Sequence, residues 1–509
     1  MRSLRPSASP PPPSSRPPEG NLSRLAGGAG ALFAGGWISY ALSTLFEIAV
    51  ARSLGAHEFG AYIVGVSIAW VLAQIAPLGM NWAVVRYVAL YRSQADLERL
   101  RGTVWLGVRV TATGGAILGA AMFVAAPLLA ERLLHDPDFT LMLRLLSFSV
   151  PLSALTELLL ATVQAHTRVM STVLVRSVVV PALRLIGALG ALAVLDGGAV
   201  TVAGGYLAAE FVAMLLAVVS VLRVLTLGPV RHPGRQVGQY ARPLAAQRIL
   251  ESSTSDFDNL VLSASGSASL VALFTAALRF TVVANALFKA IGIALAPMVS
   301  DIHAADQREH LARLYKAASR WMFAIGVPVF LVQVLFGRWL LALFGEEFTV
   351  AYPALVILAT GQLVNSSTGV GLDIIRMIGR SGLMLANTVV DVTTLVVFSL
   401  ILIPRYGLEG AAFAAALHLA ISNVVRAVEV WVITRMHPYS LAFAKPLLAG
   451  AGAAAAVLAT RPLLAAPLGE LVGMLVLAVT YLGLLAALRL DPEDRAVAAQ
   501  LLGRLRVKR

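Results

Sequence analysis

The sequence predicts an all-α polytopic membrane protein with about 14 transmembrane helices, arranged as two parallel six-helix lobes plus two C-terminal helices. Three observations predict it. Of 509 residues, 58% are apolar and only 13% charged, against about 25% charged residues in an average soluble domain. Apolar segments nearly free of charge recur between residues 26 and 488, each of the roughly twenty residues that a helix needs to cross hydrocarbon. Sliding the chain against itself by 212 residues, without a gap, brings Gly114 onto Gly326, Arg168 onto Arg380, Gly198 onto Gly410, Arg223 onto Arg435 and Tyr62 onto Phe274. Loop arginines and loop glycines in one register argue for a repeated six-helix unit. Two halves of the same orientation are a transporter arrangement, with the substrate site between them.

The chain opens on a proline-rich stretch, PSASPPPPSSRPPEG at 6–20, which has no apolar face to bury and reads as an extended tail over 1–25. A secretory leader needs a short apolar core before a cleavage site, and a full-length span follows here instead, so the tail is expected to be retained. Six spans are expected in 26–223, at 26–51, 61–85, 104–127, 140–163, 170–195 and 199–222. A basic linker follows at 224–242. Six more spans are expected in 243–434, at 243–264, 270–298, 317–342, 351–375, 381–403 and 409–434, with 243–264 the least hydrophobic. Two further spans at 444–460 and 468–488 lie in an appended unit over 443–488, and a basic tail closes the chain at 489–509.

Charge fixes the expected orientation. With the N-terminus in the cytoplasm, the inward segments hold 27 of the 40 Lys and Arg, and the outward loops hold only Arg52, Arg132, Arg405 and Arg461. That asymmetry is what the positive-inside rule demands, and it places both termini in the cytoplasm. The net charge of +13 does not suggest nucleic acid, because no soluble basic face with interleaved aromatics is present.

The remaining cations lie in the spans, where a charge at a helix centre costs about 2.5–3.5 kcal/mol and needs a partner or water. Arg109, Arg144, Arg338 and Arg426 lie near helix ends and can snorkel, and Arg176 resembles them. Arg184, Arg279 and Lys289 sit deeper. The last two are about 15 Å apart along one helix and about 80° apart around it, with Asn285 in the same sector. They read either as anion contacts or as halves of structural ion pairs.

On a helical wheel, RILESSTSDFDNLVLS puts Arg248, Glu251, Ser252, Ser255, Asp256, Asp258 and Asn259 within about 160°. A span with so broad a polar face is expected to line a water-filled cavity. Glu47 falls on Asn259 in the 212-residue register, beside Asp258. An acid from each half would then approach one cavity and suit a coupling cation, although Glu47 could equally pair with Arg52. Asp373, Asp391 and Glu210 are further intramembrane acids.

Several chemistries are missing. No G-x-x-x-x-G-K-[ST], H-E-x-x-H or G-x-S-x-G occurs, so neither a P-loop nor these hydrolase centres are encoded. Histidines and carboxylates show no metal-ligand spacing, so no metal and no cofactor is expected. Cysteine is absent, which removes disulfides and thiol chemistry.

Two passages carry a family resemblance. VARSLGAHEFGAYIVGVSI, followed by LGMNWAVVRYVALYR, resembles the first hairpin of the polysaccharide flippases in the multidrug/oligosaccharidyl-lipid/polysaccharide (MOP) exporter superfamily. The stretch from Leu273 to Gly369, with APMVS closing the eighth span and LFGEEF before the tenth, is similar to that family's second half. SGSAS at 265–269 departs from it, lacking the charged residue and glycine usual there. The resemblance covers roughly 26–434. It implies a MATE-like V of two bundles that moves an undecaprenyl-diphosphate-linked oligosaccharide across the bacterial inner membrane by alternating access. A polysaccharide polymerase and glycosyltransferases would be working partners, beside membrane lipid. On this reading Arg184, Arg279, Lys289, Asn285 and Arg248 line a cationic site for the diphosphate, and Glu47, Asp256, Asp258 and Asn259 are candidates for ion coupling. A MATE-like drug/cation antiporter is the alternative, and a membrane glycosyltransferase or ligase a more distant one.

Overall fold

The computed structural model describes residues 19–166, 174–194, 198–226, 228–232, 235–304, 308–371, 374–375, 381–463 and 468–488. Helix α1 (Glu19–Ile75) crosses twice, because Gly55 (φ 72°, ψ 173°) turns the chain back in a conformation essentially reserved for glycine. Next come α2 (Met80–Ser93), α3 (Leu97–Leu129), α4 (Thr140–Ser147), α5 (Ser149–Ala165), α6 (Val180–Val194) and α7 (Gly198–Leu222). These form the first lobe. The second lobe holds α8 (Arg235–Ser255), α9 (Phe257–Ser265), α10 (Ala268–Ala304), α11 (Arg308–Ala342), α12 (Tyr352–Thr368) and α13 (Ser381–Thr434). The last of these is a second double crossing, bent at Gly407 (φ 53°). The C-terminal pair, α14 (Ala444–Thr460) and α15 (Leu468–Ala487), packs on α11 through Phe336, Ala449, Ala453 and Leu477.

Eleven stretches among the described residues are long and apolar enough to cross a bilayer. Two of them, Gly35–Ile75 and Ala386–Thr434, are the bent double crossings. The α8–α9 pair adds one more, anchored at one end by Tyr87 Oη donating to the Gln236 carbonyl and at the other by Ser263 Oγ donating to the Leu133 carbonyl. Fourteen crossings result, and the described chain ends emerge on one side. The expected all-helical architecture is the observed one.

Where the core sits defines the state of the molecule. At the end opposite the termini, one continuous apolar cluster joins the lobes, with Phe46, Phe59 and Tyr62 of the first against Phe274, Phe344 and Phe348 of the second. Toward the termini the apolar packing falls into separate clusters. Tyr91, Leu100 and Leu158 of the first lobe pack with Val237 and Ala241 of α8, and Phe288, Tyr315 and Ile374 pack within the second lobe. The broad apolar seal between the lobes lies at the end opposite the termini, and at the other end α8 reaches onto the first lobe.

Three expectations change. Helix α1 begins at Glu19, so the helix takes in the last part of the expected tail; residues 1–18 lie outside the described ones. The expected linker 224–242 becomes helical from Arg235, because Val237 and Ala241 find an apolar seat beside Tyr87 and Tyr91. The single polar wheel across 248–259 does not exist, since the helix breaks at Asp256 (φ −127°, ψ 18°). Residues 167–170 of the expected break 164–170, the break 376–380, the tail 489–509 and Asp373 lie outside the described residues.

Candidate functional site

Two expected residues meet across the lobes. Glu47 of α1 is 7% exposed and accepts a hydrogen bond from Arg279 Nε of α10 at 2.6 Å. A second Arg279 nitrogen closes a bidentate ion pair on the same carboxylate. Tyr40 Oη donates to the Arg279 carbonyl, and the guanidinium lies 5.9 Å from the Tyr40 ring centre. Arg279 is therefore neutralised in this state, and Glu47 pairs with it rather than with Arg52. The guanidinium of Arg52 instead reaches the Leu343 and Ala342 carbonyls at the end of α11. A bidentate Arg–carboxylate pair removed from water holds its partners tightly and orients them.

Inside the first lobe lies a cavity of about 270 Å³ walled by Ser39, Ser43 and Trp70 of α1, Glu157 of α5, Arg184 of α6 and Glu210 of α7. Arg184 Nε donates to Glu210 Oε1 at 2.8 Å and Ser153 Oγ to Oε2 at 2.7 Å. The face of Tyr206 covers the guanidinium at 4.9 Å. A smaller cavity of about 130 Å³ adjoins it toward the termini, lined by Gln74, Asn81, Trp82, Gln164 and Arg248. The two share Glu157, Leu160 and Arg176, and a 3.0 Å ion pair between Arg176 and Glu157 stands on the shared wall. Arg248 donates to Gln74 Oε1. Three arginines thus follow one another along a polar path from the terminus-bearing side into the lobe.

The break at Asp256 sends the expected acids to different lobes. Asp256 accepts from Ser67 Oγ of α1 at 3.0 Å, with Asn259 completing the cluster. Asp258 instead accepts from Ser399 of α13. Glu47 is taken up by Arg279 and Asp258 by Ser399. Asn285 accepts from Asn365 of α12 at 3.3 Å, and Asn365 also donates to Gln362, an amide group at mid-depth in the second lobe. Lys289 lies in α10, and its side chain falls outside what the structure describes. Arg426 does not snorkel, because it pairs with Asp391. Among the described residues no group of three His, Asp or Glu could hold a metal ion.

Sequence reasoning missed Glu157, Gln74, Ser67, Tyr40 and Asn365. An acid within an apolar run was the available signal for Glu157. The others are neutral polar residues whose role appears only once a charged partner stands opposite.

The family model described as "Polysaccharide biosynthesis protein" matches residues 25–303, and the MatE model matches 243–401. The chain is 25% identical over 158 residues to the "Probable low-salt glycan biosynthesis flippase Agl15" of Haloferax volcanii, covering 31% of this chain and 34% of that protein. That alignment spans only about a third of the relative. It is 21% identical over 412 residues to the "Putative O-antigen transporter" of Shigella flexneri, covering 78% of this chain and 96% of that protein. Among solved structures, the lipid II flippase MurJ in an inward closed conformation superposes with a TM-score of 0.71 at 14% identity, over 89% of this chain and 97% of that one. At that identity the likeness concerns the fold.

Proposed function

We propose that this chain, which belongs to the polysaccharide biosynthesis protein family, is a flippase for an undecaprenyl-diphosphate-linked oligosaccharide in the bacterial inner membrane. The carried unit would be an O-antigen, capsule or exopolysaccharide repeat. The observation that carries this reading is the succession Arg248, Arg176, Arg184 along the first-lobe cavities. A diphosphate is a compact polyanion, and guanidinium forks bind phosphate oxygens bidentately. The three differ in how they stand to the cavities. Arg248 lines the smaller one beside Gln74, and Arg176 is more than half exposed in its pair with Glu157. Glu210 is 2% exposed and holds Arg184 with help from Ser153. Arg248 and Arg176 therefore take the phosphates, and Arg184 shapes the inner wall.

Both termini face the cytoplasm in this reading, so the sealed end faces outward and the state seen receives substrate from the inner leaflet. Release follows when Glu47 and Arg279 part and the lobes open at the other end. An ion gradient or the membrane potential drives the cycle, with Glu47, Asp256, Asp258 and Asn259 as candidate coupling groups. The chain transports and does not catalyse a covalent step; a polymerase and glycosyltransferases work beside it. The test is glycan export in cells lacking their own flippase. Arg176→Gln with Arg248→Gln should cut export at least about tenfold at unchanged protein level, and unchanged export overturns the assignment. A drug/cation antiporter is a second reading, favoured by the MatE match over 243–401. Efflux of a cationic dye that is abolished by Asp258→Asn, with glycan export absent, would install it.

A further inference from the structure

On the outer flank of the first lobe, away from the lobe interface and the polar path, a separate pocket opens between α3 and the α4–α5 pair. It has a volume of about 400 Å³ and is walled by Ala116, Gly119, Ala120, Phe123, Phe148 and Pro151, among others. Its surroundings face lipid, with Val124 77%, Leu128 55%, Leu141 56% and Phe148 54% exposed. At its rim stands Arg144. The guanidinium carbon lies 5.1 Å from the ring centre of Phe123, itself part of the wall and stacked edge-on against Phe148. Arg144 Nε is buried without a hydrogen-bond partner, and among the described residues no carboxylate pairs with this arginine. Arg176, Arg184, Arg279 and Arg426 all have one. A cation left unpaired at membrane depth is costly and needs an anion or water.

Arg144 also lies toward the sealed end of the molecule, where the chain turns through Pro137 into α4. Helix α3, of 33 residues, is about 50 Å long and exceeds a hydrocarbon core of about 30 Å. Shared between the two ends, the excess puts headgroup level on that side about two turns inside the end of α3, at the depth of Arg144, with the apolar pocket beside it. We propose that this pocket holds one acyl chain of an anionic phospholipid from the leaflet at the sealed end, with the lipid phosphate on Arg144. The small residues Ala116, Gly119 and Ala120 make room for the chain, and the Phe123–Phe148 pair closes around it. The cation supplies the headgroup contact that an ordinary lipid-facing groove lacks.

Native mass spectrometry of the full-length protein in detergent, titrated with palmitoyl-oleoyl phosphatidylglycerol, tests this site. Arg144→Gln should weaken the most strongly retained lipid about tenfold, the cost of one charge-assisted hydrogen bond, and Arg144→Lys should recover most of it. Ala120→Trp, at an exposed position on the pocket wall, should weaken it comparably by filling the space. Arg109→Gln, which removes a lipid-facing cation stacked on Trp105, should leave it unchanged. Equal retention in Arg144→Gln and Ala120→Trp overturns the proposal. So does an equal loss in Arg109→Gln, or Arg144-dependent retention of undecaprenyl phosphate in place of the phospholipid. Glycan export is not the readout, so the outcome stands apart from the flippase reading.

Discussion

Replacing both Glu347 and Arg52 with alanine removes a polar latch that holds the lobes together at the sealed end. Glu347 Oε1 accepts from the Ala56 amide at 2.8 Å, at the N-terminus of the α1 segment that follows the Gly55 turn. Arg52 donates to the Leu343 carbonyl at 2.8 Å and to the Ala342 carbonyl at 3.3 Å, covering the exposed C-terminus of α11. The exchange is reciprocal, an anion on a helix N-terminus and a cation on a helix C-terminus, each satisfying backbone groups that a helix end leaves bare. Both side chains are solvent-exposed, so each contact is worth only about 0.5–1 kcal/mol. Losing all three costs about 2 kcal/mol, or about thirtyfold in the ratio of sealed to open forms. The chain has no cysteine, so Val50→Cys, fully buried in the seal, reports opening through its reaction with an impermeant maleimide. The latch variants should raise that rate about thirtyfold. An unchanged rate in a folded, monodisperse double variant would refute the latch and leave the apolar cluster as the sole seal.

Three further outcomes follow from the same contacts. Gly60→Val places a side chain where a Cβ would already lie 1.8 Å from the Ala268 carbonyl oxygen, so it should hold the lobes apart and expose the Val50→Cys thiol without any change in the latch. Glu47→Gln strands Arg279 without its anion and should cost about 3 kcal/mol in detergent unfolding experiments, whereas Glu47→Leu with Arg279→Leu should recover most of that stability while abolishing export. Arg184→Ala leaves the nearly buried Glu210 carboxylate with Ser153 as its remaining partner and should cost about 3–5 kcal/mol, part of it restored by Arg184→Lys.

Much of the architecture was legible because bilayer solvation writes itself into long apolar runs. The crossings, the repeat and the appended α14–α15 pair all show in hydropathy and in one offset. The pairings across that architecture were not legible. Glu47 and Arg279 are 232 positions apart, and nothing local to Glu47 favours Arg279 over Arg52, which is only one turn further along. Helical-wheel reasoning also assumes an unbroken helix. At Asp256 the chain departs from it, so residues expected on one face serve α1 through Asp256 and α13 through Asp258. The amphipathic start of α8 was hidden for a related reason, since the apolar seat offered by Tyr87 and Tyr91 comes from a different part of the chain.

In the proposed function the arginine path carries a diphosphate-linked glycan from one leaflet to the other. That transfer is tested most directly in proteoliposomes holding the purified protein and a labelled undecaprenyl-diphosphate oligosaccharide. Translocation is read as loss of protection from an impermeant glycosidase. The account predicts label exposure well above that in protein-free vesicles, slowed at least about tenfold by Arg176→Gln with Arg248→Gln. Exposure no faster than in empty vesicles, with folded protein under an imposed ion gradient and membrane potential, would contradict it.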